Sequence, residues 1–198
     1  MQPAKINYKI YQGSTFQEIY RWESETKVYV PIQSIAKSAP CVITTAEPHN
    51  LPVGWRARVV GAGGMKEINS TSDSYYIITD TTSDTIEINS VNSLQFSTYT
   101  SGGVVEAGAP VPLAGYSARM QIRESVDSTT VIHTATTENG GIVLDDTTYK
   151  TITVTIPAAT TQTFSFETAV YSVELYTGAG VVVPFLVGNL TLVPEVTR

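Results

Sequence analysis

The stretch PHNLPVGWRARVVGAGGMKEIN, residues 48–69, gathers the side chains of this chain that most resemble a reactive site. It holds one of the two histidines, an arginine pair and a glycine-rich run, and the only cysteine lies a few residues upstream. These residue types could form a cysteine–histidine nucleophile, a metal site, a phosphate cradle or a carboxylate-binding pair. The candidates are His49, Cys41, Arg56, Arg58 and the glycines Gly61, Gly63 and Gly64.

The glycine run fits a turn better than a phosphate cradle. A dinucleotide fingerprint places its glycines between a strand and a helix, so that the phosphates meet the helix N-terminus. Here the glycines lead into MKEIN and then NSTSDSYY, which has no helical pattern, and no Gly-Lys-Ser/Thr follows. We therefore predict a sharp turn at the end of a strand that carries Trp55, Ala57 and Val59 inward.

The cysteine and the histidines lack the spacing of a catalytic or metal site. A nucleophilic cysteine needs a base and an orienting partner, and His133 falls on a different predicted domain, in TVIHTAT. The sequence contains no HxxxH or CxxC pair that would suggest zinc. Cys41, within PCVITT, is interpreted as a small buried hydrophobe.

The remaining polar candidates have ordinary structural interpretations. Arg56 and Arg58 alternate with inward residues, which predicts a solvated strand face, although a carboxylate-binding pair stays open. Asp145–Asp146 stands at a hairpin end, and a calcium site would need a third acidic ligand with a glycine between them. Trp22 and Trp55 are assigned to the core. The sequence thus predicts no catalytic, cofactor-binding or metal-ligating residue, no cofactor and no enzymatic activity.

Composition and charge narrow the class of protein. The chain has 198 residues, 42% of them hydrophobic and 15% charged, with a formal net charge of −6 and one cysteine. Such a balance is typical of a folded protein, and the negative charge argues against nucleic-acid or anionic-membrane partners. No apolar run approaches a membrane span, and MQPAKINYK lacks a signal-peptide core. We expect a soluble, acidic, β-rich protein made in the cytoplasm.

Period-two alternation dominates the sequence and predicts an all-β fold. KTITVTI directs Ile152, Val154 and Ile156 to one face, and ARMQIRE directs Met120 and Ile122 inward. The segment AVYSVELYTGAGVVVPFLVGNLTLVPEV, residues 169–196, predicts two long strands joined at Gly-Ala-Gly, and ENGGIVL predicts a tight turn with positive φ at its Asn-Gly pair. One helical turn is expected around AATTQTF, residues 158–164.

One irregularity is predicted within a strand. The alternation changes parity between Phe16 and Ile19, which predicts a β-bulge.

The middle of the chain differs in texture from the rest. Between residues 36 and 105 the strands become short and the loops rich in Ser, Thr, Asn, Asp and Gly, and this segment is bracketed by the similar phrases VYVPI and APVPLAG. We predict a small β-barrel, residues 36–105, inserted into a discontinuous β-sandwich of residues 1–35 and 106–198.

The sandwich half resembles modules of tailed-bacteriophage particles. The phrases are GSTFQEIYRWE, PVPLAGYSARMQIRES, TTENGGIVLDDTTYKTITVTIPAATTQTF and AVYSVELYTGAGVVVPFLVGNLTLVPEVTR. Together they are similar to the immunoglobulin-like N-terminal domain of siphophage upper-baseplate proteins and to short prophage tail proteins. HNLPVGWRARVVGAGGMKEIN and YYIIT…TIEINS resemble a small β-barrel repeated in phage tail proteins, which is also similar to the non-catalytic first half-domain of ubiquitin-activating enzymes.

The resemblance implies an immunoglobulin-like β-sandwich interrupted by a small β-barrel, and a structural protein of the virion. Such a protein is a non-enzymatic, multi-copy adaptor in the tail, baseplate or neck, which links a symmetric ring to neighbouring phage proteins or fibres. Its expected partners are other virion proteins, with no nucleic acid and no membrane, and it is made in the bacterial cytoplasm. Two alternatives remain at this stage: a capsid decoration protein, and a carbohydrate-binding module of a tail fibre that recognises the host surface.

Overall fold

The computed structural model describes residues 2–72 and 74–196 of the chain. Strands make up 50% of the structure and helices 4%, so the protein is all-β, as the alternation predicts. Among the described residues, no helix combines the length and the apolar character that crossing a membrane would require.

Sixteen strands follow one another along the described residues. The first eight are β1 (Ala4–Lys5), β2 (Tyr8–Tyr11), β3 (Phe16–Tyr20), β4 (Glu23–Ile35), β5 (Cys41–Thr45), β6 (Arg56–Val60), β7 (Tyr76–Ile77) and β8 (Asp80–Thr81). The other eight are β9 (Thr85–Ile88), β10 (Val104–Pro110), β11 (Tyr116–Arg123), β12 (Val131–Thr136), β13 (Ile142–Asp145), β14 (Thr151–Ile156), β15 (Thr168–Thr177) and β16 (Val182–Val193). A 3₁₀ turn (Lys66–Ile68) precedes β7, and α1 (Ala158–Thr161) is the expected single helical turn.

The described residues divide into two compact units. The first comprises the residues up to Tyr20, Leu113–Asp146 and the residues from Thr151 onward. The second comprises Arg21–Pro112 and Thr147–Lys150. The second unit therefore extends beyond the predicted insertion at both ends, because β4 and β10 pair with each other and with strands of that unit.

The first unit contains two sheets. The larger one has the order β1-β16-β15-β11-β12, and β2 also pairs with β16. The strands β1 and β2 run parallel to β16, whereas the other neighbours are antiparallel. The smaller sheet has the antiparallel order β13-β14-β3.

The core of the first unit lies between these sheets. Met120 and Ile122 are buried on β11 and Val154 is buried on β14, which confirms the predicted inward faces. Aromatic rings of the two sheets meet across the core: the centroid of Tyr20 on β3 lies 6.1 Å from that of Phe185 on β16. The sheets thus pack face to face through apolar and aromatic side chains.

The bulge predicted between Phe16 and Ile19 is wrong. The strand β3 pairs with β14 without a shift, from Phe16 opposite Ile156 to Tyr20 opposite Ile152. Uniform alternation leaves Ile19 on the outer face, where its side chain is 54% exposed. The apparent parity change came from counting an exposed isoleucine as a core residue.

The second unit is built on one curled sheet of seven strands in the order β7-β6-β10-β4-β5-β9-β8. Its terminal strands, β7 and β8, are separated along the chain by Ile78 and Thr79 alone. The Ile78 N–H donates to the Trp55 carbonyl beside β6, and the Thr79 N–H donates to the Glu87 carbonyl on β9 (both 2.9 Å). Because two adjacent residues bond to opposite ends of the sheet, the sheet must curl.

The concave side of this sheet holds the apolar core of the second unit. Trp55, Ile43, Met65 and Ile68 are almost completely buried in it. Trp55 also donates its indole N–H to the Gly108 carbonyl on β10 (2.8 Å), so its one polar atom is satisfied. The prediction that Trp55, Ala57 and Val59 face inward is confirmed, since all three are buried.

The buried and exposed isoleucines of the first unit provide a matched stability test. Ile122 is fully buried on the central strand β11. Ile122→Ala should lower the free energy of unfolding by about 2–5 kcal/mol, because it removes buried methylenes and leaves a cavity. Ile19→Ala, the same change on an exposed face, should cost less than about 1 kcal/mol. Urea unfolding followed by circular dichroism measures both, and equal losses would contradict the assigned inner face of the sheet.

Candidate functional site

His49 is a buried structural residue, and both of its ring nitrogens are hydrogen-bonded. The residue is only 4% exposed to solvent. The Leu51 backbone N–H donates to His49 Nδ1 (3.0 Å), which fixes the proton on Nε2 because a backbone amide only donates. Nε2 lies 3.2 Å from the Thr85 carbonyl oxygen and 2.9 Å from Thr81 Oγ1. His49 therefore joins the loop before β6 to the β8–β9 hairpin.

Cys41 lies in the second unit and His133 lies in the first. Cys41 is completely buried in the core of the second unit, and burial raises the pKa of its thiol. A raised pKa keeps the sulfur protonated, whereas a nucleophile requires the thiolate. His133 belongs to β12 of the first unit, where burial lowers its pKa, and its ring lies 6.0 Å from that of Phe164.

The glycine-rich run forms the predicted turn. Gly61 and Gly64 have φ angles of +76° and +75°, which side-chain-bearing residues rarely adopt. Gly63 forms an antiparallel bridge with Ser101, and a Cβ at Gly63 would lie 2.7 Å from the Ser101 carbonyl oxygen. The run continues into the 3₁₀ turn, whose Ile68 is buried. The backbone of this turn therefore holds the loop that contains Thr100 and Ser101.

Asp146 and a tyrosine cluster also have structural partners. Asp146 Oδ1 accepts the Leu113 backbone N–H where the chain enters the first unit. In the same unit the Tyr20 hydroxyl donates to the Tyr8 hydroxyl (2.8 Å), and Tyr171 donates to the Ile6 carbonyl (2.9 Å). Burial raises the pKa of Tyr20 and of Tyr171, so both hydroxyls stay protonated as donors.

Within the described residues, no group of three or more His, Cys, Asp or Glu side chains could hold a metal ion.

The arginine pair belongs to a charged surface on the second unit that the sequence did not reveal. We name it the Tyr75 patch. Three cations surround the Tyr75 ring: Arg56, Arg58 and Lys27 lie 4.9, 5.9 and 5.9 Å from its centroid. Two carboxylates, Glu23 and Glu106, complete the set.

The Tyr75 patch is positioned by the pairing of β4, β10 and β6. Glu106 on β10 stands opposite Tyr29 of β4 on one side and opposite Arg58 of β6 on the other. Gly108, two residues along β10, presents no side chain, and the Glu23 side chain lies over it: a Cβ there would be 3.1 Å from Glu23 Oε2. The missing side chain at Gly108 therefore makes room for a carboxylate on the sheet face.

The two carboxylates of the Tyr75 patch are unequal. Glu23 accepts a bidentate pair from Arg56, with Nε–Oε1 and Nη2–Oε2 distances of 2.8 Å. This hydrogen-bonded carboxylate raises the pKa of Arg56. Glu106 Oε1 instead lies 3.8 Å from Arg58 and 3.9 Å from Lys27, beyond hydrogen-bonding distance. Arg58 and Lys27 thus keep donor capacity for another anion.

Sequence reasoning identified Arg56 and Arg58 but missed the other members of the patch. Alternation along WRARVV placed both arginines on the outer face, yet it could not show which neighbouring strands flank them. Glu23, Lys27 and Glu106 come from strands far away in sequence, and only the pairing brings them together. The carboxylate-binding role that the sequence left open for the arginine pair is filled within the chain for Arg56 alone, by Glu23, whereas Arg58 lies 3.8 Å from Glu106 without a hydrogen bond.

A groove lies on the outer face of the larger sheet in the first unit. Its volume is about 390 Å³, and Lys5, Arg123 and three valines contribute to its lining. The Arg123 guanidinium is already engaged, since it donates to the Ser128 carbonyl (2.6 Å) and to Gln121 Oε1 (2.9 Å). The groove therefore offers less free charge than the Tyr75 patch.

Comparison with known protein families and with curated proteins returned no match.

The structural role of His49 is testable by two substitutions. His49→Ala should destabilise the protein by about 1–3 kcal/mol, because it leaves the Leu51 N–H without its buried acceptor, whereas the Thr85 carbonyl keeps the Thr81 hydroxyl as a donor. His49→Asn should cost less, since its side-chain oxygen can still accept the Leu51 N–H. Thermal unfolding of the three proteins checks the order. An Asn variant as unstable as the Ala variant would contradict the role assigned to Nδ1.

Proposed function

We propose that this protein is a non-enzymatic structural component of a tailed-phage particle. In this proposal it is present in many copies and acts as an adaptor in the tail, baseplate or neck. One unit docks on a symmetric ring, and the other presents a surface to neighbouring virion proteins or fibres. The proposal places the protein in the virion, after synthesis in the bacterial cytoplasm.

The finer fold that we propose is an immunoglobulin-like sandwich with an inserted small barrel. The sandwich corresponds to the six-stranded and three-stranded sheets, and the barrel corresponds to the curled seven-stranded sheet. The hydrogen bonds of Ile78 and Thr79 to the two ends of that sheet support a barrel-like closure. The sequence phrases that resemble phage modules fall on strands of both units.

The observation that carries the proposal is the way in which the chain enters and leaves the second unit. Glu23 near the start of β4 is paired with Pro110 at the end of β10, so both connections leave the unit side by side. A module attached through two adjacent strands behaves as an insertion into its host domain. Two β units joined in this manner suit a protein that links other proteins through surfaces of complementary shape.

The chemistry of the candidate residues supports a non-enzymatic role. His49 is held by backbone groups, Cys41 is a buried thiol with a raised pKa, and Asp146 anchors a backbone N–H. Each of these side chains performs a task that keeps loops and strands in place. The Tyr75 patch is charged and partly exposed, which suits contact with another protein.

The inserted-module model predicts which fragment folds alone. Residues 21–112, expressed by themselves, should unfold cooperatively on heating, because they include both β4 and β10. Residues 36–105 form the matched control: they lack β4 and most of β10, and therefore lose the pairing at the centre of the curled sheet. Circular dichroism melting distinguishes the two fragments. Failure of the longer fragment to show a cooperative transition would contradict the model.

The functional proposal is tested in the phage that encodes the protein. Particles assembled without it should keep filled heads but lack a tail or fibre substructure, and they should adsorb poorly to cells. Electron microscopy of these particles, with mass spectrometry of wild-type virions, provides the measurement. Density lost from the capsid lattice, with complete tails, would favour a decoration protein instead. Complete particles that fail only to adsorb would favour a module that binds host carbohydrate.

A further inference from the structure

The Tyr75 patch has more positive charge than its own carboxylates neutralise. Three cations face two carboxylates, and only Arg56 has a hydrogen-bonded ion pair. The Arg58 Nε–H is buried and finds no hydrogen-bond acceptor among the described residues, so only the terminal guanidinium nitrogens of Arg58 can meet an incoming group. Its guanidinium and the Lys27 ammonium both approach one oxygen of Glu106 at a distance too long for a hydrogen bond. A further carboxylate at this place would gain charge-assisted hydrogen bonds.

The first unit displays a feature with the opposite charge: the turn between β11 and β12, residues 124–130. Glu124 and Asp127 are exposed there, on either side of Val126, which is 85% exposed. The turn is held in one shape, because the Ser128 N–H bonds to the Ser125 carbonyl and Arg123 donates to the Ser128 carbonyl. Two carboxylates and an apolar tip are thus presented on an ordered loop.

We propose that the Tyr75 patch of one copy of this protein binds the β11–β12 turn of a second copy. Glu124 and Asp127 of the turn supply the carboxylates that Lys27 and Arg58 lack, and Val126 packs beside the exposed Tyr29 and Tyr75 rings. The partner is identified by charge complementarity between two surfaces of the same chain. This inference rests on the proposed multi-copy role, because a ring brings the copies together.

The contact has a direction, since the two surfaces differ and belong to different units. A contact between unlike surfaces is heterologous, and repeated copies of it form a ring when the rotation closes. A contact between like surfaces would stop at a dimer. The arrangement therefore agrees with a component that lies around a symmetric ring.

Zero-length carbodiimide crosslinking tests the contact directly, because it joins a lysine to a carboxylate in contact with it. Purified full-length protein, mixed from isotopically light and heavy chains at low ionic strength, should give light–heavy links from Lys27 to Glu124 or Asp127. Mass spectrometry identifies these links as intermolecular. The links should weaken with added salt, as exposed ion pairs do.

Charge reversal supplies the matched test. Arg56→Glu with Arg58→Glu, and separately Glu124→Arg with Asp127→Arg, should each reduce dimer and higher-order crosslinked species at least about tenfold by placing like charges together. An equimolar mixture of the two variants should restore them, since each variant then meets its complement. Glu47→Arg with Glu167→Arg, two exposed carboxylates elsewhere, changes the net charge by the same amount as the turn reversal and should leave crosslinking intact.

The outcomes separate this contact from the proposed function. Light–heavy links between Lys27 and the turn that are lost in Arg56→Glu with Arg58→Glu and restored in the mixture support the contact. The turn reversal removes the carboxylates that carbodiimide activates, so the patch reversal and the mixture decide the outcome. Absence of the links at low salt, or links that persist in the patch reversal, would overturn the contact and leave the virion role to be judged from particles. Links that connect Lys27 to a different acidic segment would equally overturn the choice of the turn.

Discussion

The antiparallel pairing of β4 with β10 is the interaction on which the second unit and its surface depend. It joins Pro31 to Val104 at one end and Glu23 to Pro110 at the other, across a long intervening segment. Beyond Pro31 the strand β4 changes partner, and Ile32–Ile35 pair with β5 instead. Proline has no N–H to offer a ladder, and the register of β4 on β5 shifts between Ile32 and Ser34. Because the two halves of β4 pair with different neighbours, β4 joins β10 and β5 in one sheet.

The same pairing decides what the outer face of the sheet can do. It sets Glu106 between Tyr29 and Arg58, and it leaves the space above Gly108 for Glu23. Inside the unit, the Gly108 carbonyl accepts the indole N–H of Trp55. A glycine at this position therefore serves both faces: its missing side chain admits a carboxylate outside, and its backbone satisfies the largest core side chain inside. A substitution at Gly108 would alter core and surface together.

Local patterns predicted the strands and their faces well, because alternation depends on near neighbours. Met120, Ile122, Trp55 and the helical turn at residues 158–161 lie as expected. Strand partners could not be predicted in this way, because pairing links residues far apart in sequence and alternation carries no information about them. This is why the arginines Arg56 and Arg58 could be found from the sequence while their carboxylate partners could not. The border of the second unit was missed for the same reason: β4 reads as an ordinary strand, and only its partner shows which unit it joins.

Electrostatic range decides whether an acidic chain can assemble through charged contacts. With a net charge of −6, copies repel one another at long distance. At physiological salt this repulsion is screened beyond about 8 Å, whereas ion pairs at contact distance are screened much less when partly buried. A small cationic patch that meets a small acidic turn can therefore outweigh the net charge locally, but its strength is modest because both surfaces are exposed. In the assembly that we propose, such contacts order neighbours that a ring has already brought together.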